Sequence, residues 1–348
     1  MICMNYDLIL SQTYLPSMNP SDTVILSPHT TKISTTLLTR PIGPTGASGV
    51  LGSAIYAAFK QAPEGHTVLG LAHSRASGNL KALDLLKADE VDALVREFKP
   101  DWIVHCAAER KPDVAEKVCV LFVLHAMTAL PWKRTYSAHW HLSQDPEGTQ
   151  KLNVSVPEHL AKLAKELGST LIYISTDYVF DGTSPPYVPS ARTNPLNIYG
   201  RTKRDGELAV LGVEGRARRC PTRARADQSG KQYKMDHYQT RYPTNVLDIA
   251  AFLVRLARLP RMRHLPPILH YTAPEPFTKY EMCLIFARIL GVPHAHIVPD
   301  AEPPAPGATP RPHDTQLYVR ETEDLEVEGG LGTSGFEEWW EDHLGKKP

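Results

Sequence analysis

The sequence predicts an α/β fold on a doubly wound parallel sheet, with a small C-terminal substrate-side lobe. Two observations carry that expectation. Gly46, Gly49 and Gly52 are spaced Gly-x-x-Gly-x-x-Gly within Thr45-Gly46-Ala47-Ser48-Gly49-Val50-Leu51-Gly52, and the run leads into the helical pattern SAIYAAFKQ. Short apolar runs and amphipathic stretches then alternate along the chain, as successive βαβ units require.

In chain order, residues 1–40 are rich in Ser, Thr and Pro without a sustained period, and read as a poorly ordered extension. Arg40-Pro41-Ile42-Gly43-Pro44, just before the glycine loop, is poor material for a central strand. The first strand that such a fold needs is therefore not legible there. From residue 41 to 211 the pattern is that of a dinucleotide-binding domain of the Rossmann type. A helix is predicted near 53–62, a strand near 67–72, a helix near 89–98 and a strand near 102–107. The stretch 119–145 is an apolar, tryptophan-containing insertion. Leu152, Val156, Leu160, Leu163 and Leu167 mark a core-facing helix over 151–167, and a strand follows at Thr170–Ser175. After Pro195 comes another helix, and then the basic stretch from Gly212 to Lys231 reads as loop. Residues 212–330 form a smaller lobe interleaved with the first domain, with helical patterns at 245–258 and 278–290. A tail over 331–348 carries Trp339-Trp340 in an acidic frame, suited either to a helix packing on the core or to an exposed anchor for a partner.

Glycines at 46, 49 and 52 allow a tight turn and close backbone approach, so that amides at a helix N-terminus face a pyrophosphate. Gly46, Ser48, Gly49, Val50 and Gly52 are thus candidate dinucleotide contacts. Ala107 and Ala108, small residues after a buried strand, leave room for a ribose or nicotinamide. Cofactor choice turns on His73-Ser74-Arg75 at the end of the second strand, where a carboxylate would select NAD. Arg75 favours NADP through its extra phosphate. Asp84 falls where a side chain reaches the adenine.

The chemistry-bearing pair is Tyr199 and Lys203, spaced Tyr-x-x-x-Lys on one helical face. An ammonium beside a phenol favours the phenolate, and such a tyrosine exchanges a proton with a carbonyl or hydroxyl while a nicotinamide exchanges hydride. Thr176, or in second place Ser175, would hydrogen-bond the same oxygen. His139-Trp140-His141 lacks a third ligand, so no metal site is expected. His105-Cys106, at a strand end, reads as packing.

Composition sets outer bounds. The 348 residues are 42% hydrophobic, enough for a full core, and the formal net charge is zero, which gives no electrostatic reason to expect nucleic acid or an anionic membrane as partner. Five scattered cysteines without a Cys-x-x-Cys favour a reducing compartment, cytoplasmic with a nuclear share. The apolar run Val118–Leu130 is too short to span a bilayer.

Two long stretches, Ser175-Thr176-Asp177-Tyr178-Val179-Phe180-Asp181-Gly182 and Pro195-Leu196-Asn197-Ile198-Tyr199-Gly200-Arg201-Thr202-Lys203, resemble extended short-chain dehydrogenase/reductases of the dTDP-4-dehydrorhamnose reductase type. Residues 104–114 (VHCAAERKPDV), 235–244 (MDHYQTRYPT) and 278–282 (TKYEM) are more similar to the regulatory branch of that family. The resemblance implies NADP contacts at Gly46, Ser48, Gly49, Gly52, Arg75, Ala107, Ala108, Tyr199 and Lys203, and a retained triad of Thr176, Tyr199 and Lys203. The regulatory branch further implies a hetero-oligomeric partner, the methionine adenosyltransferase catalytic subunit, with modulation of S-adenosylmethionine synthesis in place of turnover. The reductase branch implies reduction of a nucleotide-linked 4-keto sugar by NADPH. Between Leu211 and Lys234 the family pattern calls for a further strand and a substrate-side loop, and the chain is shortened there.

Overall fold

A computed structural model of the chain describes residues 2–4, 32–37, 50–73, 80–108, 146–213, 233–260, 265–305 and 309–344. At its centre is a five-stranded parallel sheet. Its strands are β2 (Lys32–Leu37), β3 (Thr67–Ala72), β4 (Leu80–Ala82), β5 (Trp102–His105) and β6 (Thr170–Tyr173), in the spatial order β4-β3-β2-β5-β6. Because β2 is first in sequence among these five and lies in the middle, winding proceeds outward on both sides of it. That is the doubly wound arrangement the sequence predicts.

β2 corrects the expectation for residues 1–40. Residues 32–37 are the central strand, in register with β3 from Lys32↔Thr67 to Leu37↔Ala72 and with β5 from Ile33↔Trp102 to Thr36↔His105. The physical reason is local: Lys-Ile-Ser-Thr-Thr-Leu carries three β-branched residues, and the neighbouring strands need a parallel partner between them. The prolines at 41 and 44 follow the strand and do not interrupt it. A second correction concerns β1 (Ile2–Met4), which pairs in parallel with β8 (Leu269–Tyr271).

Helices cover both faces. α1 (Val50–Gln61) packs against α6 (Val246–Ala257), and their buried side chains, Ile55, Phe59, Phe252 and Leu253 among them, join Val104, Ile172, Leu269 and Tyr271 in one core. α2 (Ala88–Phe98) and α4 (Val156–Leu167) share the other core, where Leu152, Val156, Leu160 and Leu163 are buried as their spacing predicts. Ahead of α4, α3 (Pro146–Gln150) passes into a wide π-helical turn at Lys151–Ser155.

The C-terminal lobe has its own core. β7 (Tyr233–Asp236) pairs with β9 (Ile297–Asp300), and α7 (Lys279–Leu290) and α9 (Phe336–Leu344) pack beside them. α7 is well delimited. Thr278 and Glu281 form a reciprocal capping box at its start and Gly291 ends it in the left-handed region, where a side chain would be strained. A short α8 (Arg320–Glu323) lies against β8. Trp340 is 5% exposed and packs edge-on against Phe286 and Phe336, so that half of the tryptophan pair belongs to the core and not to an anchor. The insertion 119–145, Gly46, Ser48, Gly49, Arg75 and the loop 214–232 lie outside the described residues. Among the described residues no helix is long and apolar enough to cross a membrane.

Candidate functional site

β5 and β6 end side by side, His105 opposite Tyr173, so Cys106-Ala107-Ala108 and Ile174-Ser175-Thr176 leave the same carboxyl edge. The winding reverses between β2 and β5, which is where open parallel sheets hold ligands. Across this edge lies α5 (Ile198–Leu211). It starts where Asn197 Oδ1 accepts the Gly200 amide at 2.9 Å, and it approaches the Asp177–Val179 turn so closely that a Cβ on Gly200 would overlap the Tyr178 carbonyl.

One face of α5 carries Tyr199, Lys203 and Glu207, four residues apart and all buried. Lys203 Nζ donates to the Ile174 carbonyl at 2.5 Å and lies 3.9 Å from the centroid of the Tyr173 ring. Ser175 Oγ donates to Glu207 Oε1. Thr176 Oγ1 donates to Asp177 Oδ1 at 3.1 Å and accepts the Tyr178 amide at 3.3 Å, while Thr315 Oγ1 donates to Asp177 Oδ2. Both hydroxyls that the sequence offers to a substrate oxygen therefore also serve the protein. Behind α5, Tyr173 donates to the Asn153 carbonyl at 3.3 Å, and Asn153 Nδ2 donates to Thr202 Oγ1 at 3.0 Å. The wide turn before α4 is thus tied to the back of the site.

On the substrate side, the Tyr178 and Tyr199 rings meet edge to face with centroids 6.3 Å apart. Arg241, 4% exposed, donates to the Tyr178 hydroxyl at 3.0 Å and to Gln239 Oε1 at 2.7 Å, with Asp236 3.6 Å away. This guanidinium fork is engaged by the protein's own groups.

Burial dominates the titration of the site. It holds His105 down to about 3, with the Lys203 charge acting in the same direction, and neither ring nitrogen has a hydrogen-bond partner among the described residues. Burial pushes Cys106 up to about 12 and Glu207 up to about 7, against the Ser175 hydrogen bond and the positive charge of Lys203. A carboxyl whose folded value lies above its ordinary value of 4.5 stabilises the fold fully below that value and loses the contribution as pH rises through about 7. The buried histidines His105 and His270, held near 3 and 4, act in the opposite sense, losing stability as pH falls below 6.5. Comparison with Glu207→Gln isolates the carboxyl. Relative to the native chain, the variant is expected to gain on the order of 2–3 kcal/mol between pH 4.5 and pH 8, read by urea unfolding at both ends; an unchanged difference would place Glu207 outside this account.

Of the residues singled out in the sequence, Thr176, Tyr199 and Lys203 come together with Ala107 and Ala108 at the sheet edge, Ala107 being 1% exposed. Val50 and Gly52 form the first turn of α1. Asp84 follows β4, its Oδ2 3.7 Å from His73 Nε2. Glu207 was not legible as a site residue, although its place one turn beyond Lys203 on the Tyr199 face was a signal for it. No group of three metal-ligating side chains occurs among the described residues.

The family described as RmlD substrate binding domain matches residues 41–121, 135–218 and 220–338. The chain belongs to this family. Within it, the chain is 38% identical over 302 residues to methionine adenosyltransferase 2 subunit beta of Xenopus tropicalis, covering 81% of each chain. It is 36% identical over 305 residues to the subunit of the same name from Mus musculus, again 81% of each. In three dimensions it is similar to dTDP-4-dehydrorhamnose reductase of Bacillus anthracis, solved in complex with NADP, with a TM-score of 0.58 and 20% identity over 87% of this chain and 96% of that one. That likeness establishes the fold, of the RmlD type.

The described half of the cradle fits an anionic dinucleotide. α1 begins beside the switch point, small residues follow β5, and the Lys203 ammonium faces an edge where His105 is neutral.

Proposed function

We propose that the chain is a non-catalytic regulatory subunit that binds the methionine adenosyltransferase catalytic subunit, modulates S-adenosylmethionine synthesis, and holds NADP in its Rossmann domain. The observation that carries this reading is the 38% identity to methionine adenosyltransferase 2 subunit beta across 81% of both chains. The engaged Arg241 supports it. A guanidinium already donating to Tyr178 and Gln239 would have to leave buried partners before it could clasp a sugar nucleotide, which disfavours turnover.

NADP, when bound, would supply a nicotinamide that exchanges hydride, donating it in the reduced form. For this chain's own residues the reading assigns Lys203 to hold the ribose side of that half and Ala107 and Ala108 to give it room. Tyr199 would hold its phenolic proton at the substrate oxygen, and Thr176 would keep the turn below. Val50 and Gly52, with Gly46, Ser48 and Gly49, would cradle the pyrophosphate. Arg75 would meet the extra phosphate and Asp84 the adenine.

The retained Tyr199 and Lys203 on one buried face favour a second reading, an NADPH-dependent reductase of a nucleotide-linked 4-keto sugar. Size-exclusion chromatography with the catalytic subunit, with and without NADPH, separates the two. Co-elution with altered S-adenosylmethionine synthesis supports regulation, whereas a folded chain that forms no complex and reduces a keto sugar overturns it. A Tyr199→Phe variant is expected to form the complex and alter synthesis as the native chain does. Under the reductase reading the same change removes the proton donor and lowers kcat by about 100-fold or more.

A further inference from the structure

We propose that Glu207 is the proton-binding positioning residue of the cofactor site: its carboxyl, buried against Ser175 and one helical turn from Lys203, sets how much positive charge faces the dinucleotide. The inference rests on NADP binding in the Rossmann domain and adds to it a regulator, the proton.

Glu207 is 5% exposed, at the end of the face that begins with Tyr199, and it accepts the Ser175 hydroxyl from the segment that follows β6. Ser175 sits between Ile174, whose carbonyl receives Lys203 Nζ, and Thr176, whose side chain caps the next turn. The carboxyl is therefore coupled to both walls of the site through single residues. Among the described residues, the charged and titratable groups facing this cluster come from α5, β5 and β6. Lys203 and Arg204 lie on α5, His105 and Cys106 end β5, and Tyr173 ends β6. His105 and Cys106 are neutral across the physiological range, and the Tyr173 ring lies under the Lys203 ammonium. Lys203 and Arg204 supply positive charge that acts on Glu207, and Arg204 is bound by Asp205 at 2.7 Å. Among the described members of the cluster, Glu207 is the one that changes charge near neutrality.

The consequence is thermodynamic. With Glu207 protonated, the Lys203 charge faces the anionic dinucleotide undiminished by the Glu207 carboxylate. With Glu207 ionised, the cluster is closer to neutral and attracts the ligand less. By reciprocity, a bound dinucleotide raises the affinity of Glu207 for its proton, so binding above neutrality takes up a proton. Ionised Glu207 also grips the Ser175 hydroxyl more strongly than the neutral acid does, which stiffens the strand end in its weaker-binding state.

The test is the NADPH dissociation constant at pH 6, 7 and 8 for the native chain, Glu207→Gln and Ser175→Ala, with calorimetry in two buffers of different ionisation enthalpy to count protons. The native chain is expected to bind about three- to tenfold more weakly at pH 8 than at pH 6, beyond any slope that Glu207→Gln retains from the ligand's own phosphate. Glu207→Gln should keep the tighter affinity at pH 8 and lose the corresponding proton uptake. Ser175→Ala, which removes a hydrogen bond to the ionised form, should move the midpoint to higher pH. Equal slopes in the native chain and a folded Glu207→Gln overturn the proposal and leave cofactor binding standing. Should Glu207→Gln not fold, an unmoved midpoint in Ser175→Ala overturns it instead. No NADPH binding by the folded native chain at any pH overturns both this proposal and the cofactor reading beneath it.

Discussion

Replacing Thr35 with proline is expected to abolish the cooperative folding of the chain. Thr35 is the midpoint of β2, opposite Gly70 of β3 on one side and Val104 of β5 on the other. A proline there deletes a backbone donor from a strand that has ladders on both edges, and its ring crowds the preceding residue. The local cost, about 3 kcal/mol or more, is a large part of the roughly 5–15 kcal/mol that holds a domain together. It also falls where the loss propagates, because β3 and β5 meet only through β2. Thr35→Val, which keeps both backbone groups and the β-branch, is the control. Chemical denaturation followed by circular dichroism decides the matter: a proline variant with the native midpoint would remove β2 from the centre of the sheet.

The second large effect is expected at Gly206. A Cβ there would overlap the Asn153 carbonyl and the Tyr173 hydroxyl, one a backbone atom and the other the tip of a fully buried ring. Neither can yield cheaply, so Gly206→Ala is expected to cost at least the upper part of the roughly 1–3 kcal/mol range for overpacking. α5 would be levered away from the strand end, drawing Lys203 off the Ile174 carbonyl. NADPH affinity should fall together with the unfolding midpoint, and a variant with native stability would show that α5 has slack against the wide turn.

Much of the first domain was legible because its helices have strong period and its buried strands are short apolar runs. The Leu152-to-Leu163 face and the Tyr199–Lys203 pair are examples. β2 was not legible, since Lys32–Leu37 has only two apolar residues, Ile33 and Leu37, and no alternation within a Ser/Thr/Pro-rich stretch, and the prolines of 41–44 stand where continuity with the glycine loop would put a strand. Its signal was indirect: β3 and β5 were both predicted as parallel strands and needed a partner. β1, β8 and the β7–β9 pair are three or four residues long, too short for a period to emerge. At the site, Glu207 looks like one of many glutamates on a polar helix, and only its burial against Ser175 distinguishes it. The Trp339-Trp340 pair was half legible. Trp340 follows Phe336 by four residues, a helical spacing that brings both onto the lobe core, and that spacing was the clue that pointed to packing.

The π-helical turn at Lys151–Ser155 bears on how this site can change over evolutionary time. A wide turn is a helix with one residue too many, so a single-codon deletion would make the run from Pro146 to Leu167 regular and swing α3 by about 100° about the axis. The Asn153 carbonyl would no longer face Tyr173, and position 206 would lose one reason to be glycine. The extra residue, the glycine and the tyrosine are therefore a heritable unit, and homologues that have lost one should be found to have relaxed the other two.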